Sequence, residues 1–438
     1  MPETLTDFVC TACGCLCDDL TLTVEGDRIT GVEPPCPVAA RFFLQEPPAL
    51  PAAALIDGQP ATLDAALARA AEILRAAHAP LVMGLEQATV DAQRAAVALA
   101  DQLGATLDPT DAEGRSRNHA AIQTLGAVTA TLGEVAARSD LIIYWNCDPA
   151  VTHPRHIERI ARHPHTAPGP APAQRRVIVV APGRNRSTEF ADEALTLASG
   201  GDVAALGVLR ALLNGIEFEG SPVDELDGLQ VDRHTGAPLA QWAYLAQRLK
   251  AAKYAAIFYA PEPLASQSDL AGPDPVTQAI TELIRDHHRQ GRAVALPLGS
   301  PGNAAGAAQV LTWQTGFPSA VNFAAGYPRQ FPGEAQAATL LERGEVDAAL
   351  IIGAYPLPYL SDAAQIRLAA IPTIVFDDHA SDADQKVTVV IFTPRFGIET
   401  AGDVFRSDGV ALPLRAAIQS NRPTLESLLE RLEASLKD

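Results

Sequence analysis

Five of the six cysteines lie in the first 36 residues, spaced Cys10-x2-Cys13-x3-Cys17-x18-Cys36, with Cys15 as an extra thiol inside the run. Three thiolates on one tight loop and a fourth farther along can surround one compact metal centre. An iron–sulfur cluster takes four thiolates, and so does a structural zinc ion. Unligated, reduced thiols are the third reading. The sixth cysteine, Cys147, follows an apolar run and reads as a packed thiol with no reactive role.

Other chemistry-bearing residues are more scattered. His153, Arg155 and His156 form an HPRH run, equally suited to lining a pocket and to capping or packing at a helix start. Pro182-Gly-Arg-Asn-Arg-Ser after an apolar run looks like a phosphate-binding loop, but it lacks the GxGxxG pattern and a Walker lysine. Asp377-Asp378-His379 suggests a metal triad. Neighbours on a strand point to opposite faces, however, so one ion is not expected to take all three. No G-x-S-x-G elbow is present.

Alternating helices and strands must position these residues. A hairpin is expected from Asp19 to Val32 around Glu25-Gly-Asp. Leu63, Leu67, Ala70, Ala71 and Leu74 recur at helical spacing. A further helix from about Thr89 to Leu103 ends at Gly104, and His156 to Arg162 is expected to be helical. Short apolar strands are expected at Pro80, Asp140, Arg176, Tyr254, Arg292, Asp347 and Pro372, and a last helix at Leu425 to Leu436. Pro47, Pro48 and Pro51 mark a linker, and residues 164–175 a solvent loop. The fold class is therefore α/β, with several Rossmann-like parallel-sheet units. The expected division is a cysteine-bearing β-hairpin domain at 1–50, an α/β domain at 51–220, and C-terminal α/β domains at 221–438.

The 438 residues carry 33 basic and 52 acidic side chains, a net charge of −19. Such a surface repels phosphate backbones and anionic lipid, which excludes a nucleic-acid binder or a polybasic membrane binder. No apolar run reaches the length of a membrane span. The opening MPETLTDFVC has neither a basic nor an apolar leader segment. A cytoplasmic location is expected.

The cysteine run followed by α/β units resembles the layout of molybdopterin- or tungstopterin-dependent oxidoreductases. More specific segments are Thr131-Leu-Gly-Glu-Val, Tyr144-Trp-Asn-Cys-Asp-Pro, His153-Pro-Arg-His, Val310-Leu-Thr-Trp-Gln-Thr-Gly-Phe-Pro, Gly326-Tyr-Pro-Arg, Pro332-Gly-Glu and Gly402-Asp-Val-Phe-Arg-Ser-Asp-Gly-Val. They resemble the B subunit of formylmethanofuran dehydrogenase nearly end to end. That resemblance implies an iron–sulfur cluster on Cys10, Cys13, Cys17 and Cys36, next to a pterin-bound tungsten or molybdenum.

The resemblance breaks at two places. The family holds its metal by a cysteine or selenocysteine followed by histidine, and the matching stretch Gly114-Arg-Ser-Arg-Asn-His-Ala puts Asn118 at the ligand position, with His119 kept. A neutral, hard amide does not replace a soft thiolate, and Arg115 and Arg117 add positive charge beside it. The family's Arg-Gly-His-x-Asn-like segment matches Gly299-Ser-Pro-Gly-Asn303, without the arginine or the histidine that would stabilise developing charge. No tungsten or molybdenum pterin is expected, and no catalytic residue in this chain.

This combination resembles the B subunits of formyltransferase/hydrolase complexes of methylotrophic bacteria. They serve one-carbon metabolism, moving a formyl group from formyl-tetrahydromethanopterin to a methanofuran-like carrier and hydrolysing it to formate. The implied partners are a formyltransferase subunit, an amidohydrolase-like subunit and a third accessory subunit, and the implied role is non-redox. The alternatives are an active pterin-dependent dehydrogenase subunit and an unrelated thiol–zinc module.

Overall fold

The structure is a computed structural model of the chain. It describes residues 2–46, 50, 52–109, 112–163, 175–216, 223–226, 229–260, 274–331, 333–353, 360–379 and 387–437, with only the backbone course for 112–117, 223–226 and 229–231. The proline linker at 47–51 lies mostly outside the described residues, as do the 164–175 loop, Pro332 and the side chains of Arg115 and Arg117. The chain forms two compact units.

Unit 1 comprises Met1–Ser116 and Gly299–Asp438. Its small antiparallel sheet runs Glu3–Phe8, Leu20–Glu25, Arg28–Glu33. Leu20, Leu22 and Val24 alternate inward and are buried, the period expected of a half-buried strand. Its large sheet has nine strands in the order Arg329–Gln330, Val321–Asn322, Thr106–Pro109, Pro80–Gly84, Ala348–Ile352, Thr373–Asp377, Val389–Phe392, Ala54–Ile56, Gln59–Ala61. The five central strands are parallel and the flanking ones antiparallel.

The central strands are continuous apolar runs because helices cover both faces. Helix Leu63–Ala76 starts where the Thr62 hydroxyl accepts the Ala65 amide proton. Helix Val90–Leu103 starts in the same way at Thr89 and ends at Gly104, whose φ of +63° suits glycine. Ala70, Leu74, Ala96 and Leu99 pack with Val82, Leu350 and Ile374 in one core. Each buried leucine or isoleucine there contributes roughly 1.5–3 kcal/mol by leaving water.

Unit 2 comprises Arg117–Ser268 and Gly272–Leu298. Its five-stranded sheet is parallel throughout, in the order Glu193–Thr196, Arg176–Ala181, Leu141–Trp145, Tyr254–Tyr259, Arg292–Pro297. The earliest strand is central, and the chain winds outward to one side before crossing to the other. That is the doubly wound order, whose reversal falls between Leu141–Trp145 and Tyr254–Tyr259. Trp145, Trp242 and Leu209 fill one face of the sheet, and Tyr144, Phe258 and Val179 the other. The α/β class with parallel sheets expected from the sequence is the observed one, and the N-terminal hairpin is present.

Candidate functional site

The cysteine run folds as a tight loop on the hairpin. The Cys10 amide donates to the Cys17 carbonyl at 2.8 Å, and the Leu16 amide to the Cys13 carbonyl at 3.2 Å. Cys36 joins it as the residue before helix Pro37–Leu44. All five thiols are buried in one cluster with Phe8, Leu22, Ile398 and Ile418, and none forms a disulfide. Burial pushes the Cys10 thiol well up. The Ala12 amide opposes this, and charge on Cys13, Cys17 and Cys36 adds to it. The loop therefore brings Cys10 into electrostatic reach of those three.

The loop packs against the segment 299–303. A Cβ on Gly14 would stand 2.5 Å from the Gly299 carbonyl carbon, and one on Gly299 only 2.4 Å from Ser407 Cβ. The Gly302 amide donates to the Thr11 carbonyl at 2.9 Å. Asn303, fully buried, is a junction of three segments. Its amide donates to the Glu86 carbonyl at 2.6 Å, its Nδ2 to the Ala88 carbonyl at 2.8 Å, and its Oδ1 accepts the Phe405 amide at 2.7 Å. Gly299 thus sits in a backbone packing seam.

Asn118 lies in unit 2, on helix Ala112–Leu125, and is 3% exposed. Its Oδ1 accepts from the Tyr259 hydroxyl at 3.1 Å and from the Thr277 hydroxyl at 2.9 Å. Thr277 is placed by Asp274, whose carboxylate caps helix Pro275–His287 through the Thr277 amide at 2.7 Å. Burial pushes the Tyr259 phenol up to about 12; Thr277 opposes this and the charge of Asp274 adds to it. Asn118 has no local signal announcing these partners, which lie 141 and 159 residues away. His119, half-buried, sits well inside the same helix and not at a helix start.

The HPRH run is core. His156 Nδ1 lies 2.9 Å from the Tyr144 hydroxyl, and its ring meets Phe258 edge to face at 4.5 Å. Burial lowers its pKa to about 3, helped by His153 and Arg159, so the ring is neutral at neutral pH. His153 and Arg155 are buried as well. The expected helix at 156–162 is a π-turn, Ile157–Ala161. The Cys147 thiol, pushed up chiefly by burial, donates to the Phe258 carbonyl at 3.5 Å.

The loop at 182–187 borders a cavity of about 310 Å³, lined by Asn146–Asp148 and residues 181–185. Two amides of this loop are engaged. Asp148 accepts the Arg186 amide at 3.1 Å, the Ser187 amide at 3.0 Å and the Ser187 hydroxyl at 2.5 Å.

Asp377, Asp378 and His379 depart from the strand rule. Their ligand atoms lie within 4.8 Å of one another, because the strand ends at Asp377 and the chain turns. His379 Nδ1 is 3.0 Å from Asp377 and 2.9 Å from Asp378. Asp377 Oδ1 also accepts the amides of Asp378 and His379. The group is accounted for as an ion pair closing a turn.

No family model matches the chain. Among curated proteins, it is 30% identical over 452 residues to the B subunit of the tungsten-containing formylmethanofuran dehydrogenase 2 of Methanocaldococcus jannaschii, covering 100% of both chains. It is 31% identical over 308 residues to the B subunit of the formyltransferase/hydrolase complex Fhc of Methylorubrum extorquens, covering 70% of this chain and 76% of the relative. Among solved structures, it is similar to a chain of the formyltransferase/hydrolase complex FhcABCD from Methylorubrum extorquens, a crystal structure in complex with methylofuran. There the TM-score is 0.73 at 28% identity, covering 88% of this chain and 99% of that one. Matched along its whole length at this identity, the chain belongs to the family of formylmethanofuran dehydrogenase B subunits.

Proposed function

We propose that this chain is a non-redox, structural subunit of a complex of the formyltransferase/hydrolase kind. That complex would carry formyl groups from formyl-tetrahydromethanopterin through a methanofuran-like carrier to formate in one-carbon metabolism. The observation that carries the reading is Asn118. A carbonyl oxygen has two lone pairs, and both face hydroxyl donors here. The family's ligand position therefore offers neither a soft anion nor a spare lone pair, and a tungsten or molybdenum pterin does not fit it. Gly299 supplies no cation where the family has an arginine.

The partners in this reading are a formyltransferase subunit, an amidohydrolase-like subunit and a third accessory subunit. The fold of the two units would be of the molybdopterin oxidoreductase type, retained as scaffold. Among the described residues no helix is long and apolar enough to cross a membrane.

Cys10, Cys13, Cys17 and Cys36 fit a metal centre: four buried thiols, deprotonated more readily once a cation offsets their mutual repulsion. Zinc would hold four thiolates about 3.8 Å apart, from a metal–sulfur bond of about 2.3 Å. An iron–sulfur cluster takes four thiolates as well, set farther apart. A cluster there would supply single-electron storage, for which this reading has no use.

The full-length match to a tungsten-containing relative favours the second reading, an active dehydrogenase subunit. Elemental analysis of the purified complex separates the two. The expected result is partner subunits in fixed ratio with neither tungsten nor molybdenum; stoichiometric amounts of either metal would overturn the proposal.

A further inference from the structure

We infer that Asn118 is a latch: by accepting hydrogen bonds from the hydroxyls of Tyr259 and Thr277, it fastens residues 118–125 of its helix to the core of unit 2. This deepens the reading above at its decisive residue, yet it rests on packing alone.

Three facts combine. The first is that Asn118 is buried while its helix is weakly amphipathic: of the described side chains in its second half, only Ala121 is also fully buried. An alanine contact anchors little, so the two hydrogen bonds carry much of the attachment. The second is that both donors are built into rigid places. Tyr259 closes the strand Tyr254–Tyr259, and Thr277 stands in the first turn of a capped helix. The third is that the acceptor must be neutral. Asp274 already raises the phenol of Tyr259 by its charge, and Asp202 is held up chiefly by burial, with Asp274 adding to it. An amide supplies the lone pairs without a further buried anion.

Position 118 thus holds the fold. Cysteine at this position would leave two buried hydroxyls without their carbonyl acceptor, so that single substitution loosens the helix and does not make a metal site. The same logic applies independently at Gly299, where Ser407 Cβ fills the place a side chain would leave by.

The test is a mutant cycle on the full chain, purified with whatever subunits accompany it. Amide exchange of residues 119–125 is the readout, since local opening is what a latch resists. Asn118→Ala is expected to speed that exchange by about tenfold or more, the scale of leaving buried hydroxyls unsatisfied. In the Tyr259→Phe/Thr277→Val background the same substitution should add little, because both sides of the interaction are then apolar. Asn118→Cys, grown with tungstate and molybdate, should show the fast exchange and carry neither metal. Additive effects across the cycle would overturn the latch, as would a tight helix or stoichiometric metal in Asn118→Cys. Tungsten in the wild-type complex would instead sink the non-redox reading and leave the latch standing.

Discussion

Gly14 and Gly299 meet backbone to backbone, so the cysteine loop rests on the segment 299–303. Neither position tolerates a side chain. Gly299→Ala should lower the denaturant midpoint of the full chain by an amount equivalent to about 1–3 kcal/mol, the usual cost of overpacking. An unchanged midpoint would mean the seam is looser than described.

Cys147 and Cys10 are expected to resist alkylation in the native protein. Both are buried, with thiols pushed up from their ordinary range, and the thiolate is the reactive form. Mass mapping after iodoacetamide at neutral pH should find both unlabelled until denaturant is added. Rapid native labelling of Cys147 would contradict its packing against Phe258.

His156 ties stability to pH. Its folded pKa of about 3 lies below its ordinary 6.5, so the unfolded chain binds the proton first. Its contribution is complete above about pH 6.5 and is lost as pH falls toward 3, with a slope of about 1.4 kcal/mol per pH unit per proton. Unfolding curves across that window should flatten in His156→Gln. An equal slope in both proteins would assign the acid lability elsewhere.

His379 has the opposite sign. Hydrogen bonds to Asp377 and Asp378 raise its pKa to about 10. The stability its ion pairs contribute is full below the ordinary value of 6.5, declines above it, and is lost as pH rises through 10. NMR of the ring should show an imidazolium at pH 8; a midpoint near 6.5 would break the assignment.

Asn118→Ala should leave formate output by the intact complex within about twofold, because one decade in rate needs about 1.4 kcal/mol at the barrier. A tenfold loss with all subunits present would place this pocket in the chemistry.

The sequence reading succeeded where periodicity is local. The hairpin around Glu25, helix Val90–Leu103 between Thr89 and Gly104, and the long apolar strands all announce themselves within a few residues. It missed Glu3–Phe8, whose polar alternation hides an edge strand, and the two-residue strands at Val321 and Arg329, which exist only through their neighbours. It read Asp377-Asp378-His379 as points on a straight strand, where a turn gathers them. Asn118 itself was singled out from its type alone. Tyr259 and Thr277 were not, since only the folded sheet carries them there.

The parallel centre of the nine-stranded sheet in unit 1 sets an order of events on the ribosome. Strand Pro80–Gly84 is flanked on one side by Ala348–Ile352, which emerges only after all of unit 2 has been made. The cysteine cluster waits longer still, for Ile398 and Ile418, and Arg415 then donates to the Asp7 carbonyl at 2.9 Å. The cysteine loop is thus among the last segments to be enclosed. These thiols are enclosed only in a nearly finished chain, and a chain truncated after unit 2 lacks the Ile398 and Ile418 that help bury them.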